Sequence, residues 1–124
     1  MNDPQDSQDL PLAGVRVLDL SRVFAGPMCG MVLADFGAEV IKIEPVEGDI
    51  FRHVQPQRHF GMSHAYLNLN RNKRSVQLEM KQSGDRERLE TLIAGCDVFM
   101  SNMRAPALRR VGLDPAALLE RYPR

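Results

Sequence analysis

The sequence contains little cysteine, and the spacing of its cysteines argues against a disulfide framework. Its 124 residues include two cysteines, Cys29 and Cys96, and neither belongs to a Cys-x-x-Cys pair or to a Cys/His spacing typical of zinc sites. His53, His59 and His64 share one segment, but their spacing matches no standard metal site. We therefore expect unpaired thiols in a reducing compartment, and no metal.

Net charge and long apolar runs are also missing. The 16 basic residues balance 16 acidic residues, so the protein lacks the overall attraction to nucleic acid or anionic membranes that a basic protein has. No apolar run approaches the roughly 20 residues of a membrane-spanning helix. Residues 1–9 are polar and acidic where a signal peptide would be basic and then apolar. We expect a cytoplasmic protein with no nucleic-acid partner and no membrane.

Both common phosphate-binding loop motifs are absent. Neither G-x-G-x-x-G nor G-x-x-x-x-G-K-[ST] occurs in the sequence, which argues against a simple NAD- or ATP-dependent enzyme. Any site for a polyanion must therefore be built locally from other elements.

The composition is that of an ordinary globular protein of one domain. Hydrophobic residues make up 44% and charged residues 26% of the chain, and the length fits about one domain on a prior of ~150 residues. The polar start predicts a disordered tail over residues 1–10, followed by one folded domain over residues 11–124.

Hydrophobic patterning predicts alternating strands and helices. An apolar, β-branched run over 15–20 predicts a strand, an apolar stretch over 28–36 a helix, and a run over 40–43 a second, parallel strand. Pro27 suits the first helical position, and Gly37 suits the position just past the helix end. The resulting crossover should be right-handed.

The strand and helix pattern then repeats. A long connection over 44–64 is followed by a predicted strand over 75–80 and by a helix, which is marked by Leu89, Leu92, Ile93 and Cys96. A strand over 97–100 comes next. Two short helices follow, one around Leu108 and one that begins at Asp114 and Pro115. We predict an α/β fold, a Rossmann-like open, mostly parallel sheet with flanking helices. A completed helix in such a fold normally leads into another strand, which favours an incomplete N-terminal portion of a larger fold; the alternative is that the last helix closes a small domain.

Ligands of open parallel sheets bind beyond the carboxyl ends of the strands. Here those ends lead into residues 21–27, the segment after Glu44, and residues 101–104, which should therefore converge. Gly26 permits close backbone approach near a helix start, although it could equally be a packing turn. Asn102 could orient a ligand or form an Asx turn. The basic side chains suit phosphate groups or solvated faces; they are Arg71, Lys73, Arg74, Lys81, Arg104, Arg109 and Arg110.

Several ordered motifs resemble a known family. Between Leu10 and Arg124 the sequence resembles the start of class III CoA-transferases (CaiB/BaiF), of the formyl-CoA transferase and carnitine CoA-transferase type. The resemblance is carried by residues 12–21 (LAGVRVLDLS), 25–27 (AGP), 33–45 (LADFGAEVIKIEP), 70–75 (NRNKRS), 96–98 (CDV), Asn102 and Gly112-Leu113.

The resemblance implies a CoA site. Family members move CoA from an acyl-CoA to a small carboxylic acid, and they fold as interlocked homodimers whose N-terminal Rossmann-like half binds CoA. Residues 11–124 would then be a partial CoA-binding domain, with Lys81 and Arg110 suited to the CoA phosphates. By matching position, the implied CoA contacts are Val23, Phe24, Ala25, Leu78, Glu79, Met80, Lys81, Asn102, Met103 and Arg110.

The resemblance places the catalytic residue outside this sequence. The family nucleophile is an aspartate that forms an aspartyl-CoA intermediate, and it is expected beyond Arg124, so we expect no catalytic residue here and an inactive chain. Phe24, Pro45 and Met103 depart from residues common in the family and leave the acyl donor and acceptor open. The alternatives are the N-terminal part of a 2-methylacyl-CoA racemase, which residues 70–75 disfavour, or a non-catalytic CoA-binding module.

Overall fold

A four-stranded parallel sheet forms the centre of the computed structural model, which describes residues 9–123. The strands are β1 (Arg16–Asp19), β2 (Glu39–Glu44), β3 (Lys73–Gln77) and β4 (Val98–Met100), in the order β3-β2-β1-β4. The chain thus moves outward from β1 to β3 and returns to the other side of β1 with β4. The predicted α/β class with a parallel sheet is confirmed.

Helices flank the sheet and divide its core into two apolar clusters. The helices are α1 (Ala25–Asp35), α2 (His64–Leu69), α3 (Ser83–Ala94), α4 (Ala105–Arg110) and α5 (Pro115–Arg121), with a 3₁₀ turn at Ile50–His53. The paired residues Leu18 and Ile41 belong to the cluster with α3, α4 and α5, whereas their neighbours Val17 and Val40 pack with Ala34 of α1. Successive strand residues point to opposite faces, so both faces of the sheet are covered, and this explains the continuous apolar runs of β1 and β2.

Several element boundaries differ from the sequence prediction. Helix α1 begins at Ala25, so Pro27 is its third residue rather than its first; the fold tolerates this because none of the first four N–H groups of a helix has an intrahelical partner. Strand β3 begins at Lys73 and ends at Gln77, because it follows the ladder of β2 from Val40 to Glu44. Helix α2 was not predicted. Gly37 has the expected left-handed conformation, with φ of 101°.

The predicted tail over residues 1–10 falls mostly on residues 1–8, which lie outside the described residues, and it stays a prediction. Between residues 9 and 123, no helix combines the length and the apolar character needed to cross a membrane.

Candidate functional site

The three segments expected to converge do meet at the carboxyl edge of the sheet. The side-chain amide of Asn102, after β4, accepts from the main-chain N–H of Arg22 at 2.9 Å and donates to its carbonyl at 2.7 Å. The N–H of Val23 donates to Asp49, in the segment after β2, at 3.4 Å. We call residues 21–27, which follow β1, the first loop. Asn102 is therefore more than a simple Asx turn, because its side chain holds the first loop at the point where the strand order reverses.

The first loop holds a backbone conformation that its residues disfavour. Val23 has φ of 72°, and for a β-branched residue this left-handed region is sterically unfavourable. Val23 and the adjacent Phe24 are 43% and 53% exposed. Strained backbone that persists because its surroundings hold it in place is typical of ligand-binding segments.

A buried ion pair lies beneath this loop. The ammonium of Lys73 donates to Asp19 at 2.9 Å, to the Pro27 carbonyl at 2.7 Å and to Asn70 at 3.0 Å. The other oxygen of Asp19 accepts from the N–H and the hydroxyl of Ser21. Burial lowers the pKa of Lys73 and the charge of Asp19 opposes that change. The pair thus ties β1 and β3 to both ends of the first loop.

A second buried ion pair supports the same loop from β2. Lys42 lies 3.0 Å from Asp49 and donates to the Ser21 carbonyl at 2.9 Å, and both charged side chains are 1% exposed. Asp49 also accepts from Val23 and Phe51. Sequence reasoning missed this pair, although a lysine inside the apolar run of β2 was a signal that could have found it, since lysine is almost never fully buried unless paired.

The long connection after β2 is anchored by a buried carboxylate. Glu44 accepts from Arg52 through both of its oxygens at 2.7 Å, from Tyr66 at 2.6 Å and from Ser75 at 2.7 Å. Burial by itself would raise the pKa of Glu44, but these donors and the N–H of Asp49 outweigh it and lower the pKa to about 2. Burial and the neighbouring Glu44 carboxylate raise the pKa of Tyr66.

A cleft of about 450 Å³ opens where β1, β2 and β3 end. It brings together half of the sequence-predicted CoA contacts. Leu78 is itself 3% exposed, so a ligand could reach it chiefly through the main chain. The predicted contacts that line the cleft are Leu78, Glu79, Met80, Lys81 and Arg110.

The remaining predicted contacts lie outside the lining of this cleft. Three of them belong to the first loop: Val23, Phe24 and Ala25. Asn102 is hydrogen-bonded to Arg22 of the same loop, and Arg22 does line the cleft. Met103 is partly buried against the apolar core. The structure therefore forms two adjoining groups, a cleft group and a loop group, joined at Arg22.

Basic residues divide into paired and unpaired groups. Among the sequence-predicted phosphate candidates, Arg71, Lys73, Arg74 and Arg109 pair with Asp35, Asp19, Glu39 and Asp114. The charges of these four side chains are thus already engaged by carboxylates of the fold. Within residues 9–123, no ion pair involves the four basic residues of the cleft, which are Arg22, Lys81, Arg86 and Arg110.

The cleft is locally positive in a protein of zero net charge. Of its carboxylates, Glu44 is already engaged by Arg52, which leaves Glu47 and Glu79 opposite four basic side chains. Unpaired arginine and lysine side chains that face a cavity suit charge-assisted hydrogen bonds to phosphate. The sequence did not single out Arg22 or Arg86, because exposure and ion pairing cannot be read from residue type.

Comparison with known proteins points to one family. The model of CoA-transferase family III matches residues 12–124. A succinyl-CoA:glutarate CoA-transferase of Homo sapiens is 44% identical over 104 residues, which is 83% of this chain and 24% of that protein. A succinyl-CoA:mesaconate CoA-transferase of Haloarcula hispanica is 38% identical over 116 residues, which is 90% of this chain and 29% of that protein.

Solved structures agree with this comparison. A CAIB/BAIF family protein from Brucella suis matches with a TM-score of 0.84 and 36% identity over 91% of this chain and 31% of that chain. A hypothetical protein from Mycobacterium tuberculosis matches with a TM-score of 0.82 and 35% identity, over 92% of this chain and 31% of that chain. The present chain thus spans about a quarter to a third of the length of these proteins.

Proposed function

Because the chain belongs to CoA-transferase family III, we propose that it supplies CoA-binding residues to an enzyme that moves CoA from an acyl-CoA to a small carboxylic acid. The observation that carries this proposal is the cleft at the carboxyl edge of the sheet, where basic side chains have no acidic partner among the described residues. The transferases of Homo sapiens and Haloarcula hispanica named above support CoA as the substrate.

In this proposal the cleft binds the nucleotide end of CoA. Lys81 and Arg110, together with Arg22, donate charge-assisted hydrogen bonds to CoA phosphates. Glu79 and Met80 line the same cleft and contact the ligand beside them. Leu78 contributes through its main chain, since its side chain is buried.

The first loop contacts the other end of CoA. Val23 and Phe24 present exposed apolar side chains at the start of α1, which suits the thiol-bearing arm and the acyl group better than phosphate. Ala25 begins the helix, and Asn102 positions the loop from the neighbouring strand end. Met103 supports this end from the core.

The two carboxylates that bond to the first loop are not free to act as the nucleophile of the covalent steps. Asp19 and Asp49, the carboxylates nearest the first loop, are held by Lys73 and Lys42. We assign the nucleophile to an aspartate outside the sequence described. Its carboxylate attacks the acyl-CoA carbonyl and releases CoA thiolate, which then attacks the aspartyl carbonyl of the resulting anhydride, releases the donor acid and leaves an aspartyl-CoA thioester.

The acceptor acid completes the cycle by the reverse chemistry. Its carboxylate attacks the aspartyl-CoA carbonyl and again releases CoA thiolate, and the thiolate attacks the acceptor carbonyl of the new anhydride and frees the aspartate. No redox step or metal is needed. Residues 1–124 alone are therefore expected to bind CoA without turnover.

We also propose that the whole enzyme is a cytoplasmic homodimer. Met28 and Val32 of α1 and Phe36 at its C-cap are each at least 42% exposed, and their spacing of four residues places them along one side of the helix. A stripe of this kind at the surface is typical of an association interface.

Titration calorimetry with CoA tests the proposal. We expect saturable binding at one site, weakened about tenfold or more when Lys81→Gln and Arg110→Gln remove two charge-assisted contacts. Arg109→Gln is the matched control, because Arg109 neighbours Arg110 but pairs with Asp114. Absence of CoA binding would contradict the binding role, and acyl transfer from succinyl-CoA by residues 1–124 would contradict the external nucleophile.

A further inference from the structure

Arg86 lies at the boundary between two depressions of the surface. It lines the 450 Å³ cleft and also an adjoining, more open depression at the start of α3. Lys81 lines both as well. These two basic side chains therefore lie where a ligand that extends from the cleft into the second depression would contact them.

Two acidic residues adjoin Arg86 in the sequence, Asp85 and Glu87. Glu87 lines the second depression but forms no ion pair with Arg86 within residues 9–123. Asp85 accepts from the N–H of Glu79 at 2.8 Å and from Arg88 at 2.7 Å. Arg88 is thus paired on the same helix, whereas Arg86 forms no ion pair with any residue in the 9–123 range. The guanidinium of Arg86 keeps its donors available to a ligand.

The turn between α4 and α5 makes room for this guanidinium. Gly112 has φ of 73°, and a β-carbon at this position would overlap Nη2 of Arg86 and lie 3.1 Å from its Cζ. The side chain therefore lies directly against the backbone of the turn. Two separate elements, α3 and the α4–α5 turn, define the place of one unpaired cation.

We infer that Arg86 and Lys81 bind the 3′-phosphate of CoA and so select CoA over 3′-dephospho-CoA. This inference rests on the proposed function and deepens it. CoA carries a diphosphate within its chain and a separate monophosphate on the ribose. In this assignment Arg22 and Arg110 of the cleft bind the diphosphate, and Arg86 and Lys81 bind the ribose monophosphate. A phosphate monoester carries close to two negative charges near neutral pH and suits two cations.

The test compares two ligands on two variants. By titration calorimetry, the unaltered protein should bind CoA about tenfold or more tightly than 3′-dephospho-CoA, and Arg86→Gln should remove most of that preference, as expected for one lost charge-assisted contact. The variant should bind 3′-dephospho-CoA nearly as well as the unaltered protein does. Arg88→Gln removes the same charge from the same helix and should leave the preference intact.

Further variants exclude a loss of folding as the cause. Arg86→Lys keeps the charge and should retain part of the preference, while Gly112→Ala should displace the guanidinium and lower it; circular dichroism checks that each variant is folded. An Arg86→Gln variant that keeps the full preference, or that loses affinity for both ligands equally, overturns the assignment. Failure of the unaltered protein to bind either ligand would instead refute the proposed CoA site itself.

Discussion

The side chain of Asn102 holds both main-chain polar groups of Arg22, with its amide oxygen 2.9 Å from the N–H and its amide nitrogen 2.7 Å from the carbonyl. Arg22 follows β1 and Asn102 follows β4, and these strands are neighbours in the sheet. One side chain therefore fixes the relative position of the two loops that flank the reversal of strand order, which is where ligands of open α/β sheets bind.

We expect Asn102→Ala to loosen the first loop more than it destabilises the fold. The lost bonds are exposed, and a neutral hydrogen bond contributes about 1 kcal/mol, so the free energy of unfolding should fall by about 1–2 kcal/mol. CoA affinity, measured by calorimetry, should fall roughly tenfold because the loop must be ordered on binding. Asn102→Asp keeps the oxygen that accepts from the N–H of Arg22, so its CoA affinity should lie between those of the unaltered protein and Asn102→Ala. Equal CoA affinity in all three proteins would contradict a role of Asn102 in positioning the first loop.

The buried pair of Lys73 and Asp19 gives a prediction for stability. Lys73→Met would leave the Asp19 carboxylate buried without its cation, and breaking one side of such a pair costs about 3–5 kcal/mol. The double variant with Asp19→Asn should cost less than the sum of the single variants. Urea unfolding measures each value.

Arg74 offers the matched control for this stability prediction. It neighbours Lys73 and pairs with Glu39, but its side chain is 76% exposed. Arg74→Met should therefore change the free energy of unfolding by less than about 1 kcal/mol. Similar losses for Lys73→Met and Arg74→Met would show that burial does not govern the cost.

The Glu44 carboxylate predicts how stability depends on pH. Its pKa in the folded protein is about 2, against an ordinary value of 4.5. A carboxyl group whose pKa is lowered on folding stabilises the protein above the unfolded pKa, and this contribution, about 3 kcal/mol, is lost as the pH falls from about 4.5 to about 2. Glu44→Gln should flatten the unfolding free energy in that window, as measured by urea denaturation at a series of pH values.

Exposed carboxylates provide the comparison for this titration. Asp114 also has a lowered pKa, because Arg109 and the N–H of Ala117 donate to it, but it lies at the surface. Asp114→Asn should leave most of the acid dependence in place. A protein in which Asp114→Asn flattens the profile and Glu44→Gln does not would contradict the assignment to Glu44.

The apolar pattern was sufficient to predict four strands in a mostly parallel sheet, but not the bounds of β3 or the strand order. Strands β1 and β2 are buried on both faces and so read as continuous apolar runs, and Gly37 marked the end of α1 by its need for a positive φ. The start of β3 was missed because Lys73 looks like a surface residue until Asp19, distant in the sequence, is brought beside it. Local sequence carries no signal for such long-range pairs.

The site was predictable only in part, for the same reason. The resemblance indicated Lys81 and Arg110, and the structure brings both into one cleft. Basic residue type alone could not separate them from Arg74 and Arg109, whose charges are used by carboxylates of the fold. Residues 70–75 favoured a transferase over a racemase in the sequence analysis. In the structure this segment makes contacts within the fold, since Asn70 accepts a hydrogen bond from Lys73 and Arg71 pairs with Asp35.

Val23 should respond to mutation in opposite directions for stability and for binding. Its φ of 72° is costly for a β-branched residue and free of steric penalty for glycine. Val23→Gly should therefore leave the free energy of unfolding unchanged or raise it by up to about 1 kcal/mol, because relief of strain offsets the greater freedom of the unfolded chain. CoA affinity should fall severalfold, because the variant loses an apolar contact and a loop that is held in one conformation before binding.

Val32 provides the control for Val23, because the same substitution there should have the opposite effect on stability. Val32 is 42% exposed, close to the 43% of Val23, but it lies inside α1 with helical backbone. In the isolated chain, Val32→Gly should lower the free energy of unfolding by about 0.5–1 kcal/mol, as glycine does in helix interiors. It should leave CoA affinity unchanged, because Val32 belongs to the proposed dimer stripe and not to the proposed CoA contacts. If urea denaturation instead showed equal destabilisation by both substitutions, the first loop would not be strained, and its conformation could not be attributed to the contacts with Asn102 and Asp49.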